Sequence, residues 1–233
     1  YPDFSSNPNH AAVALLAALR YRNRTGKGQF IDLSQYESTM SLLGTSMLEY
    51  TALNRMPPRF GNRSEWAAPH GVYLCAGEDR WCAIAVETQE EWSGLCLTLG
   101  NPSWCAESRF QTLTGRKEHE DEMDHLIEDW TSGLEAKDVM TRLQKHGVPA
   151  GVVQNNRDLL ENDARYRQRH IRFLDHPEAG TMATHGEPIS ISGMEPMIQR
   201  SPLLGEHTDG ILTELLGMES FNVDRLYVEG VLR

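Results

Sequence analysis

Apolar residues crowd the first helix that the chain predicts. Between His10 and Arg22, residues Ala11, Val13, Ala14, Leu15, Leu16, Ala18 and Leu19 leave little room for a solvated face. Such a helix needs cover on more than one side. Asn7-Pro8 supplies an N-cap followed by proline at the first helical position, and Gly26 supplies a left-handed stop. A short strand from Gln29 to Leu33 follows. Ser34-Gln35-Tyr36-Glu37 then has the capping-box spacing that opens a long helix, running to about Asn54. Helix, strand and helix at this pace make half of an α/β layer, whose remaining sheet is expected upstream.

The pattern changes after Met56-Pro57-Pro58-Arg59-Phe60-Gly61-Asn62, where two prolines stop a helix and Gly-Asn opens a loop. Gly71 to Ala76 and Arg80 to Val86 are β-rich runs around Gly77-Glu78-Asp79 and predict a hairpin. Helical spacing returns at Glu90 to Leu99, Asp121 to Trp130 and Leu134 to His146. A strand at Val148 to Gln154, a helix at Arg157 to Arg169 and strands within Ile171 to Ser192 complete an α+β module. The tail is helical at Thr208 to Leu216 and Val223 to Val231.

Composition narrows the function classes. The 233 residues carry 22 basic and 33 acidic side chains, a formal charge of −11, and 39% are hydrophobic, which fits a folded chain. The acidic balance argues against a phosphate-tracking surface, so no nucleic-acid partner is expected. The longest apolar run, Ala11 to Leu19, stops at Arg20, far short of a membrane span, and no membrane partner is expected. The chain opens at Tyr1 without an initiating Met or a leader pattern, which reads as a processed or truncated start. Cys75, Cys82, Cys96 and Cys105 form no C-x-x-C pair, and reduced thiols in a cytoplasmic protein are expected.

No self-contained catalytic motif is present. There is no P-loop, no dinucleotide fingerprint and no H-E-x-x-H, and Gly44-Thr45-Ser46 lacks the final glycine of a nucleophile elbow. None of the nine histidines has a ligand-like i, i+4 partner, so no metal is expected. The basic turn Arg22 to Gln29 could hold a phosphate on its amides and cations, but a helix C-cap and tight turn explain it as well and are the favoured reading; the acidic run Glu118 to Asp129 reads as a solvated helix face, and the irregularly spaced tryptophans as core. Asp3 differs in kind. It lies just before an apolar helix whose N-terminal amides and dipole favour an anion, and a carboxylate held there is a usable nucleophile or base.

Several blocks together resemble the family III CoA-transferases, the CaiB/BaiF group. They are Asp3 to His10, Leu15 to Leu19, Arg24 to Ser34, Arg59 to Asn62, Ala68 to Tyr73, Gly147 to Gly151 and Pro202 to Thr208. The resemblance implies an α/β fold: a Rossmann-like large domain with an inserted smaller α+β domain, in a homodimer of interlocked subunits. This chain would hold the C-terminal part of a longer subunit. Residues 1–57 would end the N-terminal part of the large CoA-binding domain, 58–190 would form the small domain, and 191–233 would return to the large domain.

The resemblance implies Asp3 as the catalytic nucleophile, one residue further from His10 than in some members. It also implies an active-site loop at His70 and Gly71, although Trp66 to Gly71 carries one glycine where members often carry a glycine-rich stretch. The implied reaction moves coenzyme A from an acyl-CoA donor to a carboxylic acid acceptor through an aspartyl-CoA intermediate. No permanently bound cofactor is involved; the CoA thioester is a substrate. Racemisation of a 2-methylacyl-CoA, with Asp3 as one of two bases, and a non-catalytic assembly domain are the alternatives left open.

Overall fold

Local capping and apolar spacing place most helices where the sequence puts them. In the computed structural model, residues 3–194 and 197–232 are described. The opening helices are α1 (Ser6–Thr25), α2 (Gln35–Met40) and α3 (Gly44–Leu53). Strands β1 (His70–Leu74) and β2 (Trp81–Ala85) follow, then helices α4 (Gln89–Thr98), α5 (Leu113–Glu118), α6 (Glu120–Thr131) and α7 (Ala136–Lys145). The remainder comprises β3 (Ala150–Val153), α8 (Ala164–His170), β4 (Ile171–His176), β5 (Gly180–His185), α9 (Thr208–Gly210) and α10 (Ser220–Val228). One sheet has the order β1-β2-β3, and β4 pairs with β5 antiparallel, Ile171 opposite His185.

The chain divides into two compact units. One takes the described chain up to Val72 with Ile84–Leu126 and His146–Val148; the other takes Tyr73–Ala83, Ile127–Lys145 and the described chain from Pro149 onward.

In the first unit the core gathers around Trp92, Leu95, Phe110 and Met123. The Trp92, Trp104 and Phe110 rings lie 5.7–6.4 Å apart, centre to centre, in tilted or edge-on pairs. Helix α4 begins at Thr88, whose hydroxyl accepts from the Glu91 amide at 3.2 Å while Glu91 reaches back to the Thr88 amide at 3.0 Å. Gly94 has no room for a side chain, because a Cβ there would strike the His146 carbonyl. In the second unit α7 buries Ala136, Val139 and Leu143, one stripe at helical spacing. Tyr73, Cys75, Cys82, Ile127, Ile171 and Val223 are also buried in that unit.

Several expectations are corrected. The strand at Gln29 to Leu33 does not form, since a strand needs a paired edge and none of the described residues pairs with it; Phe30 is 94% exposed. The long helix from Gln35 is broken by a 3-10 turn at Ser41–Leu43, and Gly44 restarts it. Asn54, in the left-handed region, ends it with its N–H on the Tyr50 carbonyl at 2.9 Å. Asn7 is not the N-cap. It lies inside α1, because its side chain accepts from Ser38 instead of serving the helix amides.

Helix α1 was expected to be buried on more than one side, yet Val13 and Leu16 are 69% and 68% exposed. Its main packing among the described residues is on α2, which meets its first turn, and most of its later large apolar side chains stay exposed. Trp66 is 77% exposed and is not core. The helix at Arg157 to Arg169 is interrupted, because Asp158 turns inward to the Arg80 guanidinium at 2.6 Å and a π-type turn, Asp158–Asn162, precedes α8. The helix expected at Thr208 to Leu216 is the short α9 followed by a π-type stretch, Ile211–Leu215.

Candidate active site

Ser34 fixes where α2 begins. Its hydroxyl accepts from the Glu37 amide at 3.3 Å, so Gln35 becomes the first helical residue and Ser38 lies one turn further on the same face. That face meets the start of α1. Ser6 Oγ donates to the Ser38 carbonyl at 2.8 Å, Ser38 Oγ donates to Asn7 Oδ1, and Gln35 Nε2 donates to Asp3 Oδ1. Positions 35 and 38 thus meet 3 and 6–7 in the same order. Ser6, Ser38 and Asn7 are buried, whereas Asp3 and Gln35 are exposed. Asp3 Oδ2 takes no hydrogen bond among the described residues.

Asn7 Nδ2 is buried without a partner among the described residues. His10 reaches back, its Nδ1 2.8 Å from the Ser6 carbonyl. A carbonyl only accepts, so Nδ1 donates in this contact.

His70 and Gly71 do not lie on a loop: they open β1. The loop ends at Pro69 because pairing starts there, with Val86 N–H donating to the Pro69 carbonyl at 2.8 Å and Ala68 N–H to the Val86 carbonyl at 3.1 Å. His70 Nδ1 lies 2.5 Å from the Asn62 carbonyl, which ties the strand start to the Arg59–Asn62 turn. Under it sits Arg116, only 2% exposed, its Nε donating to the Ala68 carbonyl at 2.7 Å and its Nη1 to the Phe110 carbonyl at 3.1 Å. The guanidinium carbon lies 4.7 Å from the centre of the Trp92 ring. Burial pushes the Arg116 pKa down. Asp3 is therefore held with Gln35, and His70 with Asn62; no hydrogen bond joins the two groups among the described residues.

The acidic run is mostly a solvated face, with one exception. Glu120 is 6% exposed, 2.6 Å from Lys117 Nζ and 3.6 Å from Arg63 Nε. Asp121, then Asp124 and Glu120, hold Arg63 charged by raising its pKa. The basic turn after α1 is structural: Gly26 N–H closes on the Arg22 carbonyl at 2.8 Å. The four cysteines are free and buried, and burial raises the thiol pKa of Cys75 and brings that of Cys82 to about 11. Neither is a ready nucleophile at neutral pH. Among the described residues no cluster of His, Cys, Asp or Glu could hold a metal, and no helix is long and apolar enough to cross a membrane.

Sequence reasoning missed Gln35, because its contact with Asp3 spans 32 positions. It also missed Glu120, although a signal existed. Glu120 shares the helical stripe of Met123 and Ile127, both buried.

Known proteins give the geometry its context. A formyl-CoA:oxalate CoA-transferase of Streptomyces coelicolor is 27% identical over 238 residues, covering 96% of this chain and 58% of that protein. A succinyl-CoA–D-citramalate CoA-transferase of Chloroflexus aurantiacus is 28% identical over 223 residues, covering 95% and 55%. The chain thus spans little more than half the length of these curated relatives. Among solved structures, a CaiB/BaiF family protein from Brucella suis superposes with a TM-score of 0.77 at 27% identity, over 90% of this chain and 54% of that one. Its mixed helix and sheet architecture is shared by this α/β chain. The model of CoA-transferase family III matches residues 2–208, and the chain belongs to that family.

Proposed function

We infer that the protein transfers coenzyme A between carboxylic acids with Asp3 as its covalent carrier. The observation that carries this reading is Asp3 itself: an exposed carboxylate at the start of a 20-residue helix, held on one oxygen and, among the described residues, open on the other. The free oxygen attacks the thioester carbonyl of an acyl-CoA, and the CoA thiolate leaves, giving a mixed anhydride. The thiolate then attacks the Asp3 carbonyl carbon and expels the donor carboxylate, leaving an aspartyl-CoA thioester. An acceptor carboxylate reverses the sequence and departs as the new acyl-CoA, with Asp3 regenerated. Covalent catalysis replaces one difficult exchange by easier steps.

The reading extends to assembly. The bare apolar face of α1 and the 55–58% coverage of the relatives support a longer subunit, with 1–57 and 191–233 in a large domain, 58–190 in a small one, and a homodimer as the working form. His70 and Gly71 would then border the acyl site. The experiment is exchange of a labelled free acid into its acyl-CoA by the complete subunit. Asp3→Asn should lower the rate by about 10³-fold or more, the scale of nucleophile removal. An Asn variant as fast as wild type would end the reading. Loss of the C2 proton of a 2-methylacyl-CoA without acid exchange would replace it by racemisation.

A further inference from the structure

In the reaction just described, charge develops twice on the enzyme's own carboxyl group. When the CoA thiolate adds to the Asp3 carbonyl carbon of the anhydride, the electron pair of the Asp3 carbonyl moves onto its oxygen and a tetrahedral oxyanion forms. When the acceptor carboxylate adds to the aspartyl thioester, the same oxygen takes the charge again. Oδ1 is that oxygen if Oδ2 makes the bond to the acyl group, and Oδ1 is the atom that Gln35 Nε2 donates to. We propose that Gln35 is a catalytic oxyanion donor, holding Asp3 Oδ1 so that Oδ2 attacks and stabilising the negative charge that Oδ1 acquires in both tetrahedral steps.

Three further observations support the assignment. Gln35 is the first residue of α2, and the Ser34 cap fixes that start. The buried contacts Ser6–Ser38 and Ser38–Asn7, one turn along, fix α2 against the start of α1, so the donor is placed before substrate arrives. Asp3 Oδ2 has no hydrogen bond among the described residues, which leaves it as the oxygen able to attack. Gln35 is exposed and the fold does not rest on it.

The inference rests on Asp3 as the covalent carrier, and the test separates the two. In the complete subunit, kcat and KM for acyl-CoA are measured for Gln35→Ala, Gln35→Glu and Asp3→Asn, beside thermal unfolding. Removing one oxyanion donor should cost about 10²–10³-fold in kcat. KM should stay within about twofold, since Gln35 acts on Asp3 rather than on the bound acyl-CoA, and the unfolding midpoint should not move, since Gln35 is exposed. Gln35→Glu keeps the length but offers an acceptor to a developing anion, and should be no faster than Gln35→Ala. A thiol reagent should also detect transient free CoA in Gln35→Ala, because recapture of the thiolate by the anhydride is the slowed step. Wild-type kcat in either Gln35 variant, or a loss expressed in KM alone, overturns this inference while an inactive Asp3→Asn leaves the carrier reading standing. An active Asp3→Asn overturns both.

Discussion

Replacing Arg116 tests how the core supports the start of β1. Its guanidinium is buried and makes two hydrogen bonds to carbonyls, those of Ala68 and Phe110, while facing the Trp92 ring. Hydrogen bonds from a charged donor contribute about 1.5–3 kcal/mol each, and the ring contact about 2 kcal/mol when desolvated. Against this gross 5–8 kcal/mol, roughly, stands the cost of keeping a guanidinium out of water, several kcal/mol. Arg116→Ala removes both and adds a cavity beside Trp92, so a net loss of about 2–4 kcal/mol is expected. For 233 residues that corresponds to a fall of about 4–15 °C in Tm.

Arg116→Lys should recover only part of the loss, because an ammonium lacks the planar fork that spans two carbonyls. Urea unfolding followed by tryptophan fluorescence reads the effect directly, Trp92 lying against the guanidinium. An Arg116→Ala variant within about 0.5 kcal/mol of wild type at unchanged m, a surface-like result, would refute the reasoning. So would an Arg116→Lys variant as stable as wild type. The consequence for the site follows from chain distance: Ala68 is two residues before His70, so a loosened Ala68 carbonyl should widen the motion of the His70–Asn62 contact.

Two other outcomes follow from single contacts. Ser38→Ala strips the Asn7 side chain of its remaining partner among the described residues, where Nδ2 is already unpaired, and should destabilise by about 1–3 kcal/mol in the same urea assay. Glu206, gripped by Arg200 and by the Leu203 amide, has its pKa lowered from 4.5 to about 2. A depressed carboxylate contributes stability above its unfolded pKa and loses it as pH falls through the folded value. The contribution should therefore fade from about pH 4.5 down to about pH 2, and Arg200→Gln should move the Glu206 carboxyl midpoint upward by NMR titration.

Where local signals decide the structure, the sequence was readable. Helices α4, α6 and α7 follow from a cap and a stripe: Thr88 with Glu91, then Met123 with Ile127, then Ala136, Val139 and Leu143. The hairpin of β1 and β2 follows from two β-rich runs around Gly77 and Asp79, both in the left-handed region. Gln29 to Leu33 reads as a strand by composition, but a strand is a property of a pair, and no partner is present among the described residues. The kink after α2 and the π-type turn before α8 come from tertiary demands, such as Asp158 reaching Arg80 across 78 positions. In the candidate site, Asp3 stood out because a helix start attracts an anion, and the role proposed for it came from the family resemblance. Gln35 was not, because a cap fixes only where α2 starts, and nothing local says which distant side chain its first residue meets.

The covalent role proposed for Asp3 is most directly tested by trapping. The complete subunit is mixed with acyl-CoA, quenched with hydroxylamine, digested and sequenced by mass spectrometry. Hydroxylamine attacks an activated carboxyl group and leaves a hydroxamate in its place. The account predicts a hydroxamate on Asp3, dependent on acyl-CoA and lost in Asp3→Asn. A hydroxamate on another carboxylate, or exchange at full rate with Asp3 unmodified throughout, would contradict it.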